Sequence, residues 1–141
     1  MRIALATSDD DIEACLTLRR SVFVEEQNVP EDLELDGEDP QCRHVLAMEN
    51  GLPVGTARFR QIGESIKVQR VCVPQMARGS GIGAKIMSFI IETAKAEQSA
   101  GQVSLSSQKD AIPFYEKLGF EAYGEEYMDA GIAHRDMTLK L

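Results

Sequence analysis

The sequence predicts a mixed α/β domain built on a largely antiparallel sheet, and three observations lead there. Segments of strand and helix periodicity alternate in the order β-α-βββ-α-β-α-ββ over 141 residues. Asn50-Gly51, set between two strand-like segments, is the signature of a two-residue hairpin turn. A glycine-rich stretch, residues 78–83, joins the last strand of the central run to a long apolar-faced helix. The length suits one domain, residues 1–141, with a single core. A hydrophobic content of 43% with 27% charged residues describes a folded globule.

The elements follow in order. Residues Arg2–Ala6 form a first strand. Ser8 or Asp9 then caps a helix whose acids at 9–11 suit its positive end. Ile12, Leu16, Leu18 and Val22 supply its apolar face, with Cys15 beside them. Residues 25–39, broken by Pro30 and Gly37, read as a loop with at most a turn of helix. Three strands come next, His44–Glu49, Pro53–Gln61 and Ser65–Val73, with Gly63 turning the second into the third. The alternation of the third strand breaks, because Ile66 and Val68 share one parity while Val71 and Val73 share the other. A β-bulge near Gln69 or Arg70 would re-phase the strand and splay it from a neighbour; burial on both faces is the alternative. A helix spans Gly81 to about Gln98, burying Ile82, Ile86, Phe89, Ile90 and Thr93. A strand at Gln102–Ser106 and a short helix at Asp110–Leu118 follow, with Pro113 tolerated in its first turn and Gly119 ending it. Two strands, Phe120–Tyr127 and Ala133–Leu141, close the chain.

The formal net charge is −8, and the surplus is local. Residues 25–39 hold eight acids and no Lys or Arg; the 15 acids elsewhere balance the 15 bases. Overall acidity argues against nucleic acid and anionic membranes, which need a concentrated basic surface. Cys15, Cys42 and Cys72 form no C-x-x-C pair, which points to reduced thiols rather than a disulfide framework. The N-terminus makes a poor signal peptide, and no apolar stretch is long enough to span a bilayer. A cytoplasmic location is expected. Cys42-x-His44 and His134-x-Asp136 are isolated pairs, too few ligands for a zinc site, so no metal is expected.

The chemistry is carried by Arg78-Gly79-Ser80-Gly81-Ile82-Gly83. Glycines at 79, 81 and 83 let successive amides curl into one concavity at the start of a helix, a site for phosphates. Arg78 can add a charge-assisted contact. A Walker A loop would need Ser or Thr after its lysine, but Lys85 is followed by Ile86. A dinucleotide-binding fingerprint would need G-x-G-x-x-G after an early parallel strand, but the spacing here is G-x-G-x-G after an antiparallel run.

The spacing Arg-x-x-Gly-x-Gly resembles the loop with which GNAT acyltransferases hold the pyrophosphate of acetyl-coenzyme A. Val71-Cys72-Val73 is similar to the splayed strand that offers backbone groups to the pantetheine arm. The segment from Gln108 to Phe120, Q-K-D-A-I-P-F-Y-E-K-L-G-F, resembles the family pattern N-x-x-A-x-x-F-Y-x-K-x-G-F, with Gln108 in place of the usual Asn. The stretch Phe23–Pro30 with Gly131–His134 resembles a bacterial subgroup of largely unassigned substrate. The resemblance covers the whole chain. It implies the GNAT fold: a twisted, largely antiparallel sheet of about six to seven strands, helices on both faces, and a splayed, bulged strand near residue 70.

It also implies an acetyl-coenzyme A-dependent N-acetyltransferase acting by direct transfer in a ternary complex. Cofactor contacts fall to Val71, Cys72, Val73, Arg78, Gly79, Ser80, Gly81, Ile82, Gly83, Gln108, Ala111, Phe114 and Tyr115, with Phe114 chiefly packing. Tyr115 is the expected proton donor to the departing thiolate, and the Val71 amide the expected oxyanion donor. A lysine-like amine has a pKa of about 10.4 and must lose a proton before attack. Glu26, Glu34, Glu126, His44 and His134 are the candidates for that step, with Glu26 carried among the catalytic residues. The acceptor is expected to be a small-molecule or peptide amine. The acidic stretch either edges the acceptor pocket, favouring a cationic amine, or is a solvated loop. A homodimer is a further expectation of the resemblance. A non-catalytic acyl-coenzyme A sensor is the alternative from another class.

Overall fold

Strand β1 (Arg2–Ala6) leads through Ser8 into helix α1 (Asp9–Arg19); the computed structural model describes every residue from Met1 to Leu141. Ser8 Oγ accepts the Asp11 amide at 3.1 Å, and aspartates 9–11 occupy the first turn, where the helix dipole favours them. Past Arg19 the helix widens into a π-helical segment, Arg20–Glu26, whose end is closed by the Gln27 amide on the Val22 carbonyl. A single turn, α2 (Glu31–Glu34), completes the segment expected as a loop. The buried face is Cys15, Leu18, Arg19 and Val22, while Ile12 and Leu16 are only half-buried. An arginine on the core side escapes any reading of apolar periodicity.

Strands β2 (Arg43–Glu49), β3 (Leu52–Ile62) and β4 (Ser65–Cys72) form an antiparallel meander. Asn50 and Gly51 take φ of 52° and 77°, as a type I′ turn requires. Helix α3 (Ile82–Glu97) carries the chain across to β5 (Gln102–Gln108), which pairs with β4 in parallel, a pairing that needs such a crossover. Helix α4 (Ile112–Lys117), entered through a 3₁₀ turn, ends at Gly119 with φ of 102°. Strands β6 (Glu121–Asp129) and β7 (Ile132–Lys140) make the last hairpin. The seven strands are ordered β1-β2-β3-β4-β5-β7-β6. Strand β7 takes the inner position with Met137 in the core, and β6, rich in glutamate and exposed, takes the edge.

The two faces of the sheet carry different interiors. On one, Val45, Ala57, Phe59, Ile66, Val68, Val103, Leu105 and Met137 pack on Ile82, Ile86, Met87 and Ile90 of α3, with Tyr115 and Phe120 beside them. Gly55 belongs here by necessity, since a Cβ on it would lie 2.7 Å from Ile86 Cδ1. On the other face Leu46, Ala6 and Cys72 meet Cys15, Leu18 and Val22 of α1.

The expected bulge lies in β4. Thr56 stands opposite Cys72 and Arg58 opposite Gln69, so Arg70 and Val71 together face Ala57. Arg70 adopts φ of 57°. The extra residue re-phases the strand: Ile66 and Val68 face α3, Val71 and Val73 pack on that same core, and Cys72 turns to α1. Register with β5 runs only from Ser65↔Gln102 to Val68↔Leu105, so the two strands part where the bulge begins.

Acids of the 25–39 stretch hold this region through arginines. Arg19, 1% exposed, forks onto Glu34 at 3.1 and 2.7 Å and reaches Asp39 at 2.6 Å. Arg58, fully buried, grips Asp36 at 3.0 and 2.6 Å and Asp39 at 2.8 Å. Arg70 reaches Glu34 at 2.9 Å and Asp36 at 3.3 Å, and donates to the Leu33 and Glu34 carbonyls. Outside this knot, Arg60 pairs with Glu38 and Arg20 with Glu31.

Breaking a buried pair strands a desolvated charge, so Glu34→Ala should lower the unfolding free energy by about 3–5 kcal/mol, against at most about 1 kcal/mol for Glu31→Ala at the exposed pair, both read by urea denaturation. The hydrogen bonds from Arg58 hold the Asp36 carboxyl far below its ordinary range, and Asp39, despite its burial, is held down by Arg19 and Arg58. A depressed carboxyl stabilises the fold above its unfolded value of about 3.9 and loses that contribution as pH falls further. The thermal midpoint should therefore drop below about pH 4, and Asp36→Asn should flatten that drop while lowering stability at neutral pH.

Candidate active site

The loop before α3 turns on glycines. Gly79 and Gly81 take φ of 86° and 81°, and Gly81 is the residue from which the helix starts. Ser80 Oγ donates to the Ala77 carbonyl at 2.8 Å, which steadies the turn. No backbone amide from Gly79 to Ala84 donates a hydrogen bond within the chain. A run of free amides at the positive end of a 16-residue helix suits an anionic ligand such as a phosphate. Gly83 has a separate reason: a Cβ there would sit 3.2 Å from Phe114 Cζ, so the glycine lets α3 and α4 approach. Phe114 in turn packs edge-on against Tyr115 at 4.9 Å between ring centres.

Where β4 and β5 part, a cleft of about 460 Å³ opens. Val68, Val71 and Val73 line it from β4 and the loop beyond, Leu105, Ser106 and Gln108 from β5, and Ala111 and Tyr115 from the α4 region. Phe23, Gln27 and Leu33 close it from the π-helical side, and Tyr127, Asp129 and His134 from the β6–β7 hairpin. Its volume fits a site for a small molecule. Tyr115 is 8% exposed, and burial pushes its phenol above the ordinary range, so the hydroxyl keeps its proton at neutral pH.

The expected residues fall into place unevenly. Val71, Val73, Arg78, Gln108, Ala111 and Tyr115 share the cleft wall, whereas Cys72 points away into the α1 core. Gln108 donates from Nε2 to Gln27 Oε1 at 2.8 Å, tying the end of β5 to the π-helical segment; the added methylene relative to asparagine lengthens its reach toward that partner. Glu26 stands apart from the role expected of it. Both its oxygens accept from the Arg78 guanidinium, at 2.8 and 2.7 Å, which holds its carboxyl below the usual range, and Arg78 Nε donates to the Val73 carbonyl at 2.9 Å. Glu34 is enclosed by Arg19 and Arg70. The acidic stretch thus borders the cleft through Gln27, Val29, Leu33 and Glu34, and the one carboxylate among them, Glu34, is already neutralised.

Residues 5–141 match the family model described as an acetyltransferase (GNAT) domain. The chain belongs to the GNAT acetyltransferase family. YjcF of Bacillus subtilis, an uncharacterized N-acetyltransferase, is 35% identical over 138 residues, covering 97% of this chain and 98% of its own. The crystal structure of Escherichia coli ElaA superposes with a TM-score of 0.87 at 31% identity, covering 98% of each chain. An acyl-CoA N-acyltransferase from Pseudomonas aeruginosa superposes at 0.88 with 26% identity over 99% of each.

Within this acetyltransferase the cysteines are poorly disposed to act as nucleophiles. Burial raises the Cys72 thiol to about 12, leaving it 4% exposed, and raises the fully buried Cys15 as well. Tyr127 and Asp129 are cleft residues that the sequence did not single out, and Tyr127 is the better anchored. Its hydroxyl donates to Asp136 Oδ1 at 2.7 Å and shares a hydrogen bond with Ser106, while its ring stacks on His134. The only signal for this grouping was the alternation of His134 and Asp136 along one strand. Iodoacetamide at pH 8 should leave Cys15 and Cys72 unmodified in the native protein and label all three cysteines after denaturation, read by intact-mass spectrometry.

Proposed function

We propose that this chain transfers an acetyl group from acetyl-coenzyme A to a primary amine of a small molecule or peptide, by direct attack in a ternary complex. The cleft between the parted strands carries this reading, because it brings Val71, Val73, Arg78 and Tyr115 to one wall beside a loop of free amides. The amides of residues 79–84 and the Arg78 guanidinium would hold the pyrophosphate, Arg78 exchanging the Glu26 carboxylate for phosphate oxygens. The unpaired backbone edge at Val71 and Val73 would receive the pantetheine amides, with Gln108 and Ala111 flanking them. The Val71 amide would face the developing oxyanion.

Tyr115, buried and protonated, would supply the proton that the thiolate needs on leaving. No acyl-enzyme intermediate is required. The acidic stretch supports a cationic acceptor less than its composition implied, since Glu34, Asp36 and Asp39 are engaged by arginines. Selection then rests on the shape of the cleft and its remaining polar groups.

An acceptor panel of polyamines, aminosugars and lysine peptides, read by coenzyme A release, tests the reading. Turnover on at least one amine is expected, with kcat about 10²–10³-fold lower in Tyr115→Phe at every pH and an unchanged melting temperature. Arg78→Gln should raise KM for acetyl-coenzyme A about tenfold or more, with a smaller effect on kcat. Tight binding of acetyl-coenzyme A without turnover on any amine would favour a sensor instead.

A further inference from the structure

Removal of the acceptor's proton has no side chain assigned to it, and the surroundings of the five candidate groups differ sharply. Glu26 does not line the cleft, whether or not Arg78, from which both its oxygens accept, lets it go. Glu34 is 3% exposed and held by two arginines. Glu126 lies outside the cleft and pairs with Lys109 at 3.5 Å. His44 is 4% exposed, away from the cleft, with Nε2 on the Asp39 carbonyl. His134 alone of the five both lines the cleft and keeps a basic atom without a partner.

We propose that His134 Nε2 takes the proton from the acceptor's ammonium group. The assignment rests on the acetyl-transfer reading above and adds its missing base. Its geometry is specific. Nδ1 lies 2.7 Å from the Ile132 carbonyl, and a carbonyl oxygen only accepts, so Nδ1 carries a hydrogen and Nε2 is the ring nitrogen left to take a proton. Tyr127 stacks on the ring at 6.1 Å between centres and 21° between planes, and is itself fixed by Asp136 and Ser106. The imidazole is therefore held in one tautomer and against one aromatic face.

The step balances as follows. The ammonium RNH₃⁺ gives one proton to Nε2, and the freed lone pair on nitrogen forms the C–N bond to the thioester carbonyl carbon. When the C–S bond breaks, its electron pair stays on sulfur, which takes a proton from the Tyr115 hydroxyl. The second proton lost from nitrogen as the amide forms replaces that of Tyr115 through water. The proton on Nε2 leaves to solvent, so acetyl-coenzyme A and RNH₃⁺ yield the amide, coenzyme A and one H⁺. Throughout, Nδ1–H stays on the Ile132 carbonyl.

Other charged and titratable groups share the cleft with this ring or lie beside it. Tyr127 and Asp129 come from β6, Asp136 from the ring's own strand, and Tyr115 from α4; Glu34, Lys67, Arg70 and Arg78 line the remaining walls. Tyr127 is a donor to Asp136, and burial holds its phenol above the ordinary range, so it is no base at neutral pH. Asp129 is the one cleft carboxylate without a hydrogen-bond partner and is the competitor that the experiment must exclude.

The test uses the full chain, acetyl-coenzyme A and the fastest amine found in the acceptor panel. His134→Gln should lower kcat/KM about 10²–10³-fold while binding acetyl-coenzyme A within twofold of wild type by calorimetry. The wild-type profile of kcat/KM should fall toward acid pH, and that limb should vanish in His134→Gln and persist in Asp129→Asn. Added imidazole should restore His134→Ala at least tenfold, and Glu126→Gln should stay within twofold of wild type. Wild-type turnover with His134→Gln within threefold of it, or loss of the acid limb in Asp129→Asn, overturns this proposal and leaves acetyl transfer standing. No turnover by the wild type on any amine overturns both.

Discussion

One strand has to satisfy two neighbours at once. Strand β4 stays paired with β3 down to Cys72, yet its pairing with β5 ends at Val68, and the gap between them is the cleft. The bulge at Arg70 and Val71 reconciles these demands by adding one residue to β4 without interrupting its partnership with β3. A left-handed conformation at a non-glycine residue costs about 1–2 kcal/mol. Here the side chain of that residue offsets the cost by binding Glu34, Asp36 and two carbonyls of the segment above it. The group that strains the backbone is thus the group that anchors it.

This arrangement explains where the negative charge goes. Concentrated in 25–39, it reads in isolation as a repulsive surface loop. In the fold it faces Arg19, Arg58, Arg60 and Arg70, which come from one helix and two strands distant in the chain. Two of these arginines are buried, so their carboxylate partners are structural requirements, and the overall acidity of the protein says little about the cleft. The Arg78–Glu26 pair is different. It is exposed on both sides and is a weak attachment.

Much of the architecture was legible from local chemistry. The Asn50-Gly51 turn, the Ser8 cap, the Gly119 stop and the parity break in β4 each reported on their own few residues, and each has the conformation expected. The glycine-rich turn before α3 was equally readable, because the left-handed φ at 79 and 81 calls for glycine, whereas the Phe114-Tyr115 pair was read from the family resemblance. Less legible were Arg19 in the core face of α1, the π-helical widening at Arg20–Glu26, and the Gln27–Gln108 bridge. A buried arginine looks like any surface arginine until its carboxylate partners are known, and those partners are 15 to 36 positions away in the case of Arg19, Arg58 and Arg70.

The sequence by itself therefore determined the order of the elements, the place of the bulge and the glycine-rich turn that opens α3. Each depends on backbone preferences and side-chain periodicity within a short window. Only the tertiary structure decided which carboxylates are neutralised and which of the five candidate bases lines the cleft with an unpaired atom. Those outcomes depend on pairings between residues far apart in the chain, where the energy of a charge is set by the partner that desolvation forces upon it.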